Sequence, residues 1–183
     1  MLHRISSVWL FALIVGLLAV TSNAMGEQEP QGARRVFSAD QSVSMVAPAG
    51  WTAKTTDLPR GVKMFLQSPS EGISDRFTEN IFVNEDLLPE QHSLNDYVGW
   101  NISETRRRND EFFIVEDSPT QLSGQLARLL IVRHKTQGVI VIEISYYVQR
   151  GRIAYSVTGL TLQSEYASWA QRLKTACLTF RLE

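Results

Sequence analysis

The stretch GVIVIEISYYVQRGRIAYSVTGLT, Gly138 to Thr161, decides how this chain folds. It is crowded with isoleucine, valine and tyrosine, interrupted by Arg150-Gly151-Arg152. β-Branched and aromatic side chains favour a pleated surface, and a glycine between two such runs supplies the φ > 0 conformation of a tight hairpin turn. With Arg150-Gly151 as a two-residue turn, Val148 opposes Ile153, Tyr146 opposes Tyr155, Ile144 opposes Val157 and Ile142 opposes Gly159. Alternate residues share a face, so all four pairs fall on one side of the sheet.

Upstream, Gln125 to Lys135 predicts a third strand, joined through Thr136-Gln137-Gly138. Its Ala127, Leu129 and Ile131 then share the face of Ile142 and Ile144, while Leu126, Leu130, Val132, Val139 and Val141 make the opposite face apolar as well. Two apolar faces need two covers. One is a helix capped by Ser93 with Asp96 three residues on, carrying Leu94, Tyr97, Val98 and Ile102 and ending at Arg106-Arg107-Arg108. The other opens at Ser164 and repeats Tyr166, Trp169, Ala170, Leu173, Ala176, Cys177 and Phe180 at helical spacing. Shorter strands fit Ser42 to Pro48, Val62 to Ser68, Glu79 to Glu85 and Phe112 to Asp117. Strands, helix, strands, helix predicts an α+β sandwich around a single, largely antiparallel sheet.

The beginning of the chain is of another kind. Arg4 precedes an unbroken apolar run, Val8 to Val20, followed by Thr21-Ser22-Asn23-Ala24. Small residues at Ser22 and Ala24 fit a signal-peptidase site, which sets the cut between Ala24 and Met25 and makes residues 1–24 a cleaved signal peptide. Thirteen helical residues reach about 20 Å, short of the roughly 30 Å of a bilayer core, so a retained anchor fits less well and the mature form is expected to have no membrane span. Residues 25–36, polar and interrupted by Pro30 and Gly32, read as a flexible leader. Residues 37–183 read as one domain, in keeping with 44% hydrophobic and 20% charged residues.

Charge and cysteine usage exclude some classes. A formal net charge of −1 gives no electrostatic case for binding nucleic acid. Cys177 is the single cysteine, so no intrachain disulfide can form, and none lies near the signal end to carry a lipid.

The order of elements and the residues at their joints resemble the PsbP/Mog1-like superfamily, which includes the DcrB-related periplasmic proteins. The resemblance rests on Pro48-Ala49-Gly50-Trp51 after an early strand, Asn80-Ile81-Phe82-Val83, the helix from Leu94, Gly124-Gln125-Leu126-Ala127, Gly151-Arg152-Ile153-Ala154-Tyr155, and a last helix closing on Thr179-Phe180. It implies an α/β/α sandwich with helices on both faces of the central sheet, and members that bind or help assemble other proteins. No residue matches the metal or cofactor-related sites of the photosynthetic members.

Chemistry-bearing constellations are sparse. His92 and His134 are the histidines beyond the signal, and no Gly-x-Ser-x-Gly elbow occurs. Cys177 sits on an apolar helical stripe, as a buried structural thiol does. Glu85, Asp86 and Glu90 lack the spacing and turn glycine of a calcium loop, and neither GxGxxG nor GxxxxGK[ST] occurs, so no metal, nucleotide or other cofactor is expected. Trp51 and Trp169 read as packing residues. Trp100 falls off the apolar stripe of its helix, toward the outer side, ahead of Arg106, Arg107 and Arg108. Charge–dipole complementarity explains arginines at a helix C-terminus, but aromatic and arginine side chains also mark protein interfaces. Trp100, Arg106, Arg107 and Arg108 are therefore the candidate partner-binding residues. The function expected is a non-enzymatic accessory or assembly factor, periplasmic or secreted, that binds another envelope or secreted protein. The alternatives are an immunity-type inhibitor of a toxic enzyme in the same compartment and a small-ligand carrier.

Overall fold

A computed structural model describes residues 32–72 and 77–183. The proposed signal peptide and its cut after Ala24 lie outside the described residues.

The hairpin read from the sequence is the centre of the fold. Strands β1 (Arg34–Phe37), β2 (Val43–Ala47), β3 (Thr52–Lys54), β4 (Val62–Gln67) and β5 (Asn80–Leu87) lead to helix α1 (Leu94–Arg108). Four long strands follow, β6 (Asp110–Leu122), β7 (Gln125–Thr136), β8 (Val139–Arg150) and β9 (Ile153–Leu162). A 3₁₀ turn (Gln163–Glu165), helix α2 (Tyr166–Cys177) and strand β10 (Arg181–Leu182) complete the order. The strands form two sheets instead of the single one expected. One has seven strands in the order β3-β4-β5-β9-β8-β7-β6, and the other has three in the order β1-β2-β10. Every pairing is antiparallel.

The β8–β9 register differs from the sequence reading by two residues. Arg150 opposes Ile153, Tyr146 opposes Val157 and Ile144 opposes Gly159, with Gly151-Arg152 as the turn. Gly151 takes φ +61°, at the first central position, where a two-residue turn of the II′ kind needs glycine. A slip of two leaves every side chain on its expected face, whereas a slip of one would have inverted the sheet.

One face of the large sheet carries Ile81, Val83, Leu129, Ile131, Ile144, Tyr146, Val157 and their neighbours in one buried cluster, completed by Met45 of β2 and by Trp169, Leu173, Ala176 and Cys177 of α2. Contact is closest at Gly159, where a Cβ would lie 3.2 Å from Leu173. Alternate residues of the same strands, Leu130, Val132, Tyr147 and Ala154, join Tyr97 and Val98 of α1 in a smaller cluster. That opposite face is less apolar than expected. Leu126 is 82% exposed, Val139 is also open to solvent, and Ser145, Ser156 and Thr158 are buried there.

Local details follow from capping and strand position. The Ser93 hydroxyl accepts from Asp96 N–H at 3.3 Å and an Asp96 carboxylate oxygen accepts from Ser93 N–H at 2.8 Å, the reciprocal cap expected from the sequence. Ser164 does not cap α2. It lies in the 3₁₀ turn, and Glu165 precedes the helix without a side-chain cap bond. Phe180 is fully buried but lies beyond the end of α2. Residues 34–36, read as the end of the leader, belong to β1 and pair with β2. Strand β6 runs well beyond Phe112 to Asp117 at both ends, with Pro119 tolerated because β6 is an edge strand.

Candidate functional site

The residues singled out for catalysis or metal binding are scattered. Cys177 packs under the sheet on the α2 side, where burial pushes its thiol up to about 12 and keeps it neutral at physiological pH. His134 stands in β7 opposite Val141, on the α1 side, so the sheet separates thiol and imidazole. Its Nε2 lies 3.6 Å from Glu143, and neither ring nitrogen has a hydrogen-bond partner. Glu85 pairs with Lys63 at 3.0 Å, Asp86 accepts from the Tyr97 hydroxyl at 2.7 Å, and Glu90 meets Arg152 at 3.7 Å, so these three carboxylates diverge. Among the described residues no group of three or more His, Cys, Asp or Glu is placed to hold a metal ion.

The four candidate partner-binding residues all lie on α1. Trp100 is half-buried and does not point outward as expected: it packs against the smaller cluster, with its ring 4.8 Å from that of His92. Arg106 lies 5.0 Å over the Phe112 ring. Arg107 and Arg108 both pair with Glu104, at 2.6 and 2.5 Å. Hydrogen bonding from Arg107 holds the Glu104 carboxyl below its ordinary range. The triple arginine therefore has two of its three guanidinium groups sharing one carboxylate, which offsets one of their two charges.

A second location combines shape with aromatic surface and free positive charge. Trp51 N–H bonds to Pro48 carbonyl at 3.1 Å, closing a turn that directs the indole inward. There it meets Trp169 of α2 edge to face, with ring centroids 6.0 Å apart. One turn along α2, Arg172 lies over the Trp169 ring at 5.0 Å. The Thr179 hydroxyl donates to Ala176 carbonyl at 2.6 Å and accepts from Val46 N–H at 2.8 Å, tying the end of α2 to β2. Between these parts runs a groove of about 600 Å³, with Pro48, Ala49, Trp51, Pro69, Trp169 and Ala176 on its apolar surface and Glu71, Arg172 and Thr175 among its polar residues. Arg35 reaches one wall, donating to Ser44 Oγ at 2.8 Å and to Thr179 carbonyl at 3.4 Å.

Sequence reasoning assigned Trp51 and Trp169 to packing, as their buried edge-to-face contact has it, and did not single out Arg172 or Arg35. The Trp169-x-x-Arg172 spacing on a helix was a usable signal for the stacked pair. Nothing in the sequence placed Trp51 beside it, because that proximity is tertiary.

Comparison with known proteins establishes the fold. The solution structure of cyanobacterial PsbP (CyanoP) from Synechocystis sp. PCC 6803 superposes with a TM-score of 0.62 at 13% identity, covering 88% of this chain and 98% of that one. The Saccharomyces cerevisiae Ran-binding protein Mog1p gives 0.61 at 11% identity over 83% and 96% of the two chains. LpqN of Mycobacterium tuberculosis, involved in cell envelope biogenesis, gives 0.56 at 11% identity over 81% and 89%. No family model and no curated protein matches the sequence.

Proposed function

We propose that this chain, which has the PsbP/Mog1-like fold, is an exported, non-enzymatic protein-binding module: an accessory or assembly factor of the periplasm or cell envelope that docks another envelope or secreted protein. The groove between the Pro48-Ala49-Gly50-Trp51 bend and α2 carries the proposal, because it joins an apolar floor, an aromatic pair and a stacked guanidinium, the side-chain types that dominate binding energy at protein interfaces. The apolar run at Val8 to Val20 supports export. Two of the structurally similar proteins are described by a Ran-binding and a cell-envelope role, in line with an accessory function. We read the layers as an α/β/α sandwich, supported by Leu173 of α2 against Gly159 and Tyr97 of α1 against Tyr147 on alternate faces of one sheet. A second reading places the partner on α1, favoured by the partly uncovered Trp100 and by Arg106 further along the same helix.

Site-specific photocrosslinking separates the two readings. A photoreactive residue at Thr175 in the groove is expected to give one discrete adduct in envelope extract, and the same group at Arg107 none. An adduct from Arg107 alone transfers the interface to α1. Failure at both positions removes the protein-binding function.

A further inference from the structure

Five of the described arginines are held by acids and the others are not. Arg107, Arg108, Arg128, Arg133 and Arg152 each face a carboxylate within 4.0 Å. Arg172 and Arg35 are the two of the remaining arginines that stand at the groove, and neither pairs with a carboxylate among the described residues. Arg172 is exposed, yet its guanidinium carbon lies 5.0 Å over the Trp169 ring. The cation–π contact restrains the group without using its N–H donors, and a guanidinium can offer a carboxylate two parallel hydrogen bonds. The apolar floor lies directly beside it, from Trp169 to Trp51, Pro48 and Pro69.

We infer that the groove takes a peptide segment of a partner protein carrying one carboxylate side chain next to an aliphatic or aromatic anchor, with Arg172 reading the carboxylate and the Trp51–Trp169 floor receiving the anchor. This inference rests on the protein-binding reading of the groove. Charge complementarity selects the acid, since Arg172 is the single cation among the described lining residues and Arg35 adds positive potential at the wall. Glu71 also lines the groove, and one guanidinium among the described lining residues offers a place for one acid. The role of Arg172 is recognition: its removal changes which peptides bind and leaves the fold intact, because its side chain covers only the outer face of Trp169.

The test pans a phage-displayed random heptapeptide library on the purified protein. The strongest binder is then synthesised with its acidic residue as Glu and as Gln, and both peptides are titrated while the indole N–H resonances of Trp51 and Trp169 are followed. Expected are shifts of both resonances with the Glu peptide, about tenfold weaker binding of the Gln peptide, and loss of that difference in Arg172→Gln. Arg172→Lys should restore only part of it, since an ammonium cannot form the planar fork. Binders that shift the indoles but contain no acid, or that bind Arg172→Gln as well as the original protein, overturn the acidic class and leave the groove standing. Binders that shift neither indole, or no binders at all, overturn the groove as well.

Discussion

The two faces of the large sheet are built by alternate residues of the same strands, yet they are sealed in different ways. On the α2 side, Ile144, Val157, Leu66, Ile81 and Leu173 are each fully buried, and the helix approaches closely because Gly159 has no side chain. On the α1 side, apolar contacts are fewer and polar groups fill the remainder. Asn84 donates to Ser156 Oγ at 3.2 Å, Ser145 and Thr158 share a hydroxyl contact at 2.9 Å, and Tyr97 donates to Asp86 at 2.7 Å. Burial holds the Tyr97 and Tyr147 phenols well above their ordinary range, so they stay protonated as donors. The first face is stabilised by area removed from water, and the second depends more on its buried hydrogen-bonded pairs, although His134 on that face has no hydrogen-bond partner.

Each face also buries a carboxyl group. Asp86 lies under α1, and Glu79, 2% exposed, lies near the start of α2. Glu79 accepts from Thr161 at 3.1 Å and from Ser68 at 3.4 Å. Burial first, then hydrogen bonding with Glu165, push it up to about 7. The α2 face thus has a single polar margin, set where the chain turns from β9 into the helix.

The largest effect tests the dry face. Leu173→Ala leaves a cavity over Gly159 and is expected to cost about 2–5 kcal/mol in urea denaturation. A loss below about 1 kcal/mol breaks the contrast, because it means the face collapses freely around the gap. Next is Glu79→Gln, which acts through pH. The folded protein keeps a proton between about pH 4.5 and 7 that the unfolded chain has released, so this group's contribution to stability is fully present below about 4.5 and is lost as pH rises through about 7. Replacing it with the neutral amide should leave stability at pH 4.5 nearly unchanged and relieve a penalty on the order of 3 kcal/mol at pH 8. Parallel stability–pH curves for the two proteins contradict that account. The smallest effect belongs to the polar face: Tyr97→Phe removes the hydroxyl donor to buried Asp86 at almost no change in volume, and thermal unfolding should report a loss of about 1–3 kcal/mol. If Tyr97→Phe is neutral while Leu173→Ala is severe, the α1 side is held by its apolar contacts and the polar network is incidental.

Much of this architecture was legible in the sequence because side-chain alternation and capping are local. The partition of Ile144, Tyr146 and Val157 from Tyr147 and Ala154 follows from a period of two, and it survived an error of two residues in the β8–β9 register. Ser93 and Asp96 announced the start of α1, since both halves of the reciprocal bond lie within four residues. The short strands β1, β3 and β10 were not legible: two to four residues carry too little periodicity, and their pairing with distant partners defines them. Leu126 and Val139 looked like core from alternation alone, but strand ends project past the covering helix. The groove was half visible. Trp169 and Arg172 share a helix, while Trp51, Pro69 and Arg35 arrive from three other parts of the chain.

By itself the sequence determined the antiparallel hairpins, the two amphipathic helices, the division of each long strand between two faces and the resemblance to the PsbP/Mog1-like fold. These depend on the short-range geometry of the backbone, which repeats every two or 3.6 residues. Tertiary structure alone decided that β1, β2 and β10 form a separate sheet, that Arg172 is left without an acid among the described residues, and that two tryptophans far apart in the chain meet beside it. Proximity between distant segments is fixed by the packing of the whole core, and no local pattern encodes it.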